Sequence, residues 1–178
     1  MTEQLPFVET EKPQVLYHAS PNQDIEVFQP KREGFRDPDE GLVVFATPDK
    51  AYATMFLVKC NDSWVVKGRF SEAGVNGPWH IIISDKERFE QADKGGSIYE
   101  FDPSGFKFEP DKNMGSTEWT SKESVGPNRK VDYPSALQAM IKAGIQVYFV
   151  DQQIFDQIRS SGDDGYEIIK SLQYITEQ

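Results

Sequence analysis

The stretch Val15-Leu16-Tyr17-His18-Ala19-Ser20-Pro21 places one of only two histidines at the end of an apolar run. An imidazole there is either a core side chain with one satisfied hydrogen bond or a group presented to a ligand. Phe45 and Phe56, at the two ends of FATPDKAYATMF, offer two ring faces. They are either core residues of a strand and an amphipathic helix, or a stacking surface. Tyr52, one helical turn before Phe56, adds a hydroxyl to that face. Further along, STEWTSKESVGP sets Glu118 beside Trp119, a carboxylate whose ordinary fate on a strand is solvation. His80, in PWHIII, reads as structural. With two histidines and a single cysteine, Cys60, the chain offers neither a thiolate zinc site nor a disulfide framework.

The elements that must position these residues follow from periodicity and punctuation. QVLYHA (14–19) and GLVVFAT (41–47) are short apolar runs rich in β-formers and read as buried strands. The charged loop QPKREGFRDPDEG separates them, and its DPDE reads as solvated. Thr47 is expected to cap a helix with Pro48 at its first position, running to about Lys59 with Ala53, Phe56 and Leu57 on one face. WVVKGRF and WHIIIS read as strands either side of a Gly-rich turn. Ser84 is expected to cap a short helix through Ala92 that ends at Gly95-Gly96. Strands follow at SIYEF, FKFEP and TEWTS. Ala136, Leu137, Met140 and Ile141 form a helical stripe ended by Gly144, and IQVYFV is a continuous apolar strand. Asp151 then caps a helix through Ile154, Phe155 and Ile158. A last helix is expected from Asp163, burying Ile168, Ile169, Leu172 and Ile175. Strands that mostly do not alternate with helices, followed by helices, predict an α+β domain on antiparallel sheets.

With 178 residues the chain has the size of one domain, here residues 13–178 behind a polar, frayed segment over 1–12. A content of 38% hydrophobic residues is enough to form a core, so the chain is expected to fold. The formal charge of −10 argues against a surface that grips a nucleic-acid backbone broadly. The first residues lack a basic and apolar leader, and no run approaches the length of a membrane span, so a cytoplasmic protein is expected.

Taken together, three of these segments resemble the ADP-ribosyltransferase superfamily, which includes diphtheria-type toxins, poly(ADP-ribose) polymerases and rifampin-modifying transferases. LYHAS resembles the family's first-strand YHG(T/S) signature, with Ala19 in place of the glycine. FATPDKAYATMF matches the spacing of a strand-end aromatic and a helix aromatic, with Phe at both family tyrosine positions. Glu118 matches the family's late-strand glutamate; Glu109 or Asp111 in IYEFDPSGFKFEPDKN is the alternative. The resemblance covers about residues 14–126 and implies a split antiparallel sheet with flanking helices and NAD as co-substrate. It implies that His18 orients the adenosine-side ribose, that Phe45 and Phe56 hold nicotinamide, and that Glu118 stabilises charge at the ribose carbon. Lys31, Arg32 and Arg36 lie where the family runs a loop over NAD, so they are either pyrophosphate contacts or solvated charges.

The acceptor is open: a protein, a nucleic-acid end, a small molecule or water. Two rivals stand beside the transferase. One is a nucleotide- or protein-binding module without turnover, favoured by the missing tyrosines. The other resembles the tRNA 2′-phosphotransferases through the same EWT…VGP stretch, but their apolar residue at the glutamate position is here Glu118.

Overall fold

The computed structural model describes residues 11–31, 41–109 and 118–177. Their strands form three small sheets. In the first, β1 (Leu16–Ser20) runs antiparallel to β5 (Gly96–Phe101), which pairs on its other side with β7 (Arg129–Tyr133). In the second, β2 (Val44–Ala46) is antiparallel to β6 (Trp119–Ser121). In the third, β3 (Val65–Glu72) and β4 (Val75–Ile83) form a hairpin, and β8 (Gln146–Phe149) lies parallel to β4. The domain is therefore α+β, but its third sheet is mixed rather than antiparallel. β8 reaches β4 by a long crossover through α2, β5, β6, β7 and α3, the kind of connection a parallel pair needs.

The hairpin turn is Ala73-Gly74, with φ of 51° and 78°. Two positive φ values match the primed turns whose twist suits a two-residue hairpin, so β4 begins at Val75, four residues before the expected WHIIIS strand. β4 is the central strand, and its Ile81-Ile82-Ile83 run is buried on both faces. Ile81 and Ile83 join Leu57, Phe89, Met140 and Val147 in the largest core, while Ile82 joins Tyr148, Phe155, Ile158 and Ile169 on the opposite face. A further core of Leu16, Phe28, Ala46, Tyr99, Phe101 and Trp119 fills the space beside the first two sheets.

α1 (Lys50–Thr54) is shorter than expected and is capped by Asp49, which accepts from the Tyr52 amide at 3.0 Å. Thr47 Oγ1 instead accepts from the Asp49 amide at 3.1 Å, leaving Pro48 outside the helix. After Thr54 the amides of Phe56 and Leu57 bond three residues back rather than four, a tightening that turns Leu57 and Val58 into the core. α2 (Lys86–Ala92) is capped by Asp85, not Ser84. The described part of FKFEP, residues 106–109, forms no strand; Lys107 makes one bridge with Thr120. α3 (Ala136–Lys142) has two acceptors at its start: Ser135 takes the Gln138 amide, and Asp93, from the turn after α2, takes those of Ala136 and Leu137 at 2.7 and 3.0 Å. α4 (Gln152–Ser160) is capped by Asp151 as expected. α5 covers only Tyr166–Lys170. The expected stripe through Ile175 ends early because the chain extends and the Ile175 amide pairs with the Val147 carbonyl at 2.8 Å, covering the edge of β8. Among the described residues, no helix is long and apolar enough to cross a membrane.

His80 is buried on β4 opposite Gly68, where an added Cβ would come within 2.9 Å of the ring. Burial pushes its pKa down from 6.5 to about 4. The unfolded chain therefore takes up this proton first, and stability falls as pH drops from 6.5 towards 4. The loss should approach roughly 3 kcal/mol in denaturant titrations. His80→Gln should flatten this part of the profile; a slope unchanged by that substitution would assign it to other groups. Asp93→Ala should lower stability by about 1–3 kcal/mol through the unsatisfied first turn of α3, read from the same titrations.

Candidate functional site

β1 and β2 belong to different sheets, joined by one backbone pair: the Tyr17 amide donates to Thr47 at 2.7 Å and the Thr47 amide returns the bond at 2.9 Å. Beside this join, His18 Nδ1 stands 2.7 Å from the Phe45 carbonyl oxygen. A carbonyl only accepts, so Nδ1 carries a proton, and in the neutral ring Nε2 then holds the lone pair. The His18 ring also meets Phe28 and Phe45 edge to face, at 4.8 and 5.5 Å.

Strand alternation then sorts β2. Val44 and Ala46 enter the core, which turns Phe45 to the other face. There Phe45 and His18 meet Phe56, brought in by the tight turn after α1, around a cavity of about 600 Å³. Lys59, Cys60 and Lys67 also line it. Phe45 and Phe56 stand edge to face, 5.9 Å apart at 78°. Tyr52 does not line the cavity. Its ring sits between Phe56 at 5.1 Å and Trp79 at 4.6 Å, so it buttresses Phe56 from behind. Trp79 is held in turn by Asp49, which accepts its indole N–H at 2.8 Å, and by Arg69 over its ring at 4.2 Å.

A second cavity of about 390 Å³ lies across the His18–Phe45 wall and is bordered by Asn22, Glu26, Phe28 and Lys31. Lys31 reaches it through a backbone pair with Val43. Arg32 and Arg36 lie outside the described residues, as does Asp111.

Glu118 is buried immediately before β6 and is not part of the wall of the first cavity. The β2–β6 register pairs Ala46 with Trp119, so one further step sets Glu118 opposite Thr47, which does line that cavity. Glu109 follows Phe108, whose ring tilts against Trp119 at 5.5 Å, and it lines neither cavity. Among the described residues there is no group of three or more His, Cys, Asp and Glu side chains able to hold a metal ion.

The structure thus brings together His18, Phe45 and Phe56, leaves Glu118 one residue behind the wall, and puts Tyr52 in a supporting role. It adds Lys59, Cys60 and Lys67, for which no motif exists. Lys67 had one signal: in WVVKGRF it stands two residues after Val65, on the same strand face, where alternation asks for another apolar residue. No family model matches the chain, and no curated protein or solved structure matches it either.

Cys60 is the chain's only cysteine, which makes the cavity easy to read by alkylation. A ligand filling the cavity should slow iodoacetamide labelling of Cys60 in proportion to its occupancy. A saturating ligand that leaves the rate unchanged binds elsewhere.

Proposed function

We propose that this chain binds NAD along the His18–Phe45 wall and transfers its ADP-ribosyl group to an acceptor. The supporting observation is the convergence of His18 from β1, Phe45 from β2 and Phe56 from the turn after α1 on one cavity. With Nδ1–H engaged by the Phe45 carbonyl, the Nε2 lone pair suits a ribose hydroxyl donor. Phe45 and Phe56 supply ring surface for nicotinamide. At 5.9 Å and edge to face they leave no slot for a third ring. A sandwich needs about 7 Å, two contacts of roughly 3.5 Å each. Nicotinamide therefore stacks on one ring, or Phe56 swings on binding.

In the reaction, the bond between ribose C1′ and the nicotinamide nitrogen breaks and its electron pair neutralises the pyridinium. The positive charge passes to the ribose, the acceptor's lone pair closes on C1′, and the acceptor's proton leaves to solvent. Asp62 stands on the cavity wall itself, but the carboxylate that the resemblance assigns to stabilising that charge is Glu118, one register step beyond the Ala46–Trp119 pair. Its place behind the wall favours a second reading, a nucleotide-binding module without turnover.

Nicotinamide release from NAD separates the two. Wild type should release it, and Glu118→Gln should cut the rate about 10²–10³-fold with binding nearly unchanged. His18→Ala should mainly weaken binding. Wild type that binds NAD yet releases nothing with protein, nucleic-acid and small-molecule acceptors supplied supports the binding module. Wild type that neither binds nor cleaves NAD overturns both.

A further inference from the structure

The ammonium of Lys67 sits 4.0 Å from the centre of the Phe56 ring, inside the cavity that both residues line. Much of the surrounding wall is apolar, with Ala19, Phe45, Ala53, Val58 and Val65 among its residues, and Lys59 and Asp62 are its other charged residues. Among the described residues, no carboxylate stands within ion-pair distance of Lys67, and the Phe56 ring face is its close electrostatic partner. The cation is therefore held against the ring surface that a ligand would use. A charge in so apolar a recess acts strongly on any charged group brought beside it.

We infer that Lys67 sets the charge preference of this cavity, opposing a cationic ring against Phe56 and tolerating a neutral one. The inference rests on the NAD reading above and deepens it. Oxidised nicotinamide carries its positive charge on the ring, and that charge leaves the ring when the C1′–nitrogen bond breaks. The ammonium thus raises the energy of the bound dinucleotide without opposing the departing neutral nicotinamide. This is electrostatic strain in the ground state. A residue acting in this way weakens NAD binding while raising turnover, so its removal lowers KM and kcat together.

NAD⁺ and NADH share one frame and differ in the charge of this ring, so they form the natural probe pair. The chain's overall charge of −10 by itself disfavours the more anionic NADH, so a preference for NADH would report a local field. By calorimetry, wild type should bind NADH roughly tenfold tighter than NAD⁺. Lys67→Gln should close that gap, mainly by tightening NAD⁺, and should lower kcat and KM for nicotinamide release. Lys67→Arg keeps the charge and should keep the gap. Equal affinities in wild type, or a gap that Lys67→Gln leaves intact, overturns the inference. A charge-dependent gap without nicotinamide release sustains it and sinks the transferase reading; release without a gap does the reverse. Failure of both dinucleotides to bind overturns both.

Discussion

Everything at the site depends on how β1 is fastened to β2. The two strands lie in different sheets, and two backbone hydrogen bonds between Tyr17 and Thr47 join them, reinforced by the imidazole of His18 on the Phe45 carbonyl. The join sets Phe45 beside His18 and leaves a cavity on each side of the pair. It also fixes the tautomer of the neutral histidine, because the carbonyl accepts from Nδ1–H and leaves Nε2 as the acceptor. A histidine unable to make that bond would leave a carbonyl unsatisfied and a ring free to rotate, and the wall would lose its shape.

The packing around the join divides the labour. The core formed by Leu16, Tyr99, Phe101 and Trp119 holds the first two sheets from one side. The core formed by Leu57, Ile81, Ile83 and Met140 holds the third sheet and the turn that carries Phe56. Phe56 is thus placed by a core different from the one that backs β2. A buttress of Tyr52 and Trp79, tied to Asp49 and Arg69, keeps its ring upright at the cavity wall. The cavity lies where two packing units meet, which is a common place for a ligand site.

Much of this was legible in the sequence, and what was not has identifiable causes. The apolar runs at 14–19, 41–47 and 145–150 became β1, β2 and β8, because a buried strand announces itself by composition. β7 carries no such signal, since Arg129–Tyr133 is an edge strand whose charges face water. The helix after Thr47 is shorter than its apolar spacing suggests, because that spacing continues past Thr54 while the core demand of Leu57 tightens the turn there. Ile175 fitted a helical stripe by spacing, but the open edge of β8 offered it a backbone partner instead. At the site, His18, Phe45 and Phe56 came from motif spacing. Lys59 and Cys60 are brought in by loop geometry that no local pattern encodes, and Lys67 shows only as a charge at an apolar position of β3.

The central claim is that the imidazole at the sheet join meets the ribose of NAD, and the chain is well built for a direct look. It has two histidines, one at the site and one buried on β4, so the second serves as an internal control. Long-range proton–nitrogen correlation spectra, recorded during an NAD titration, report the two rings separately. The account predicts that the His18 Nε2 resonance moves saturably towards hydrogen-bonded values while Nδ1 stays protonated and His80 stays still. A His18 signal that does not respond to saturating NAD, or one that moves no more than His80, would contradict it.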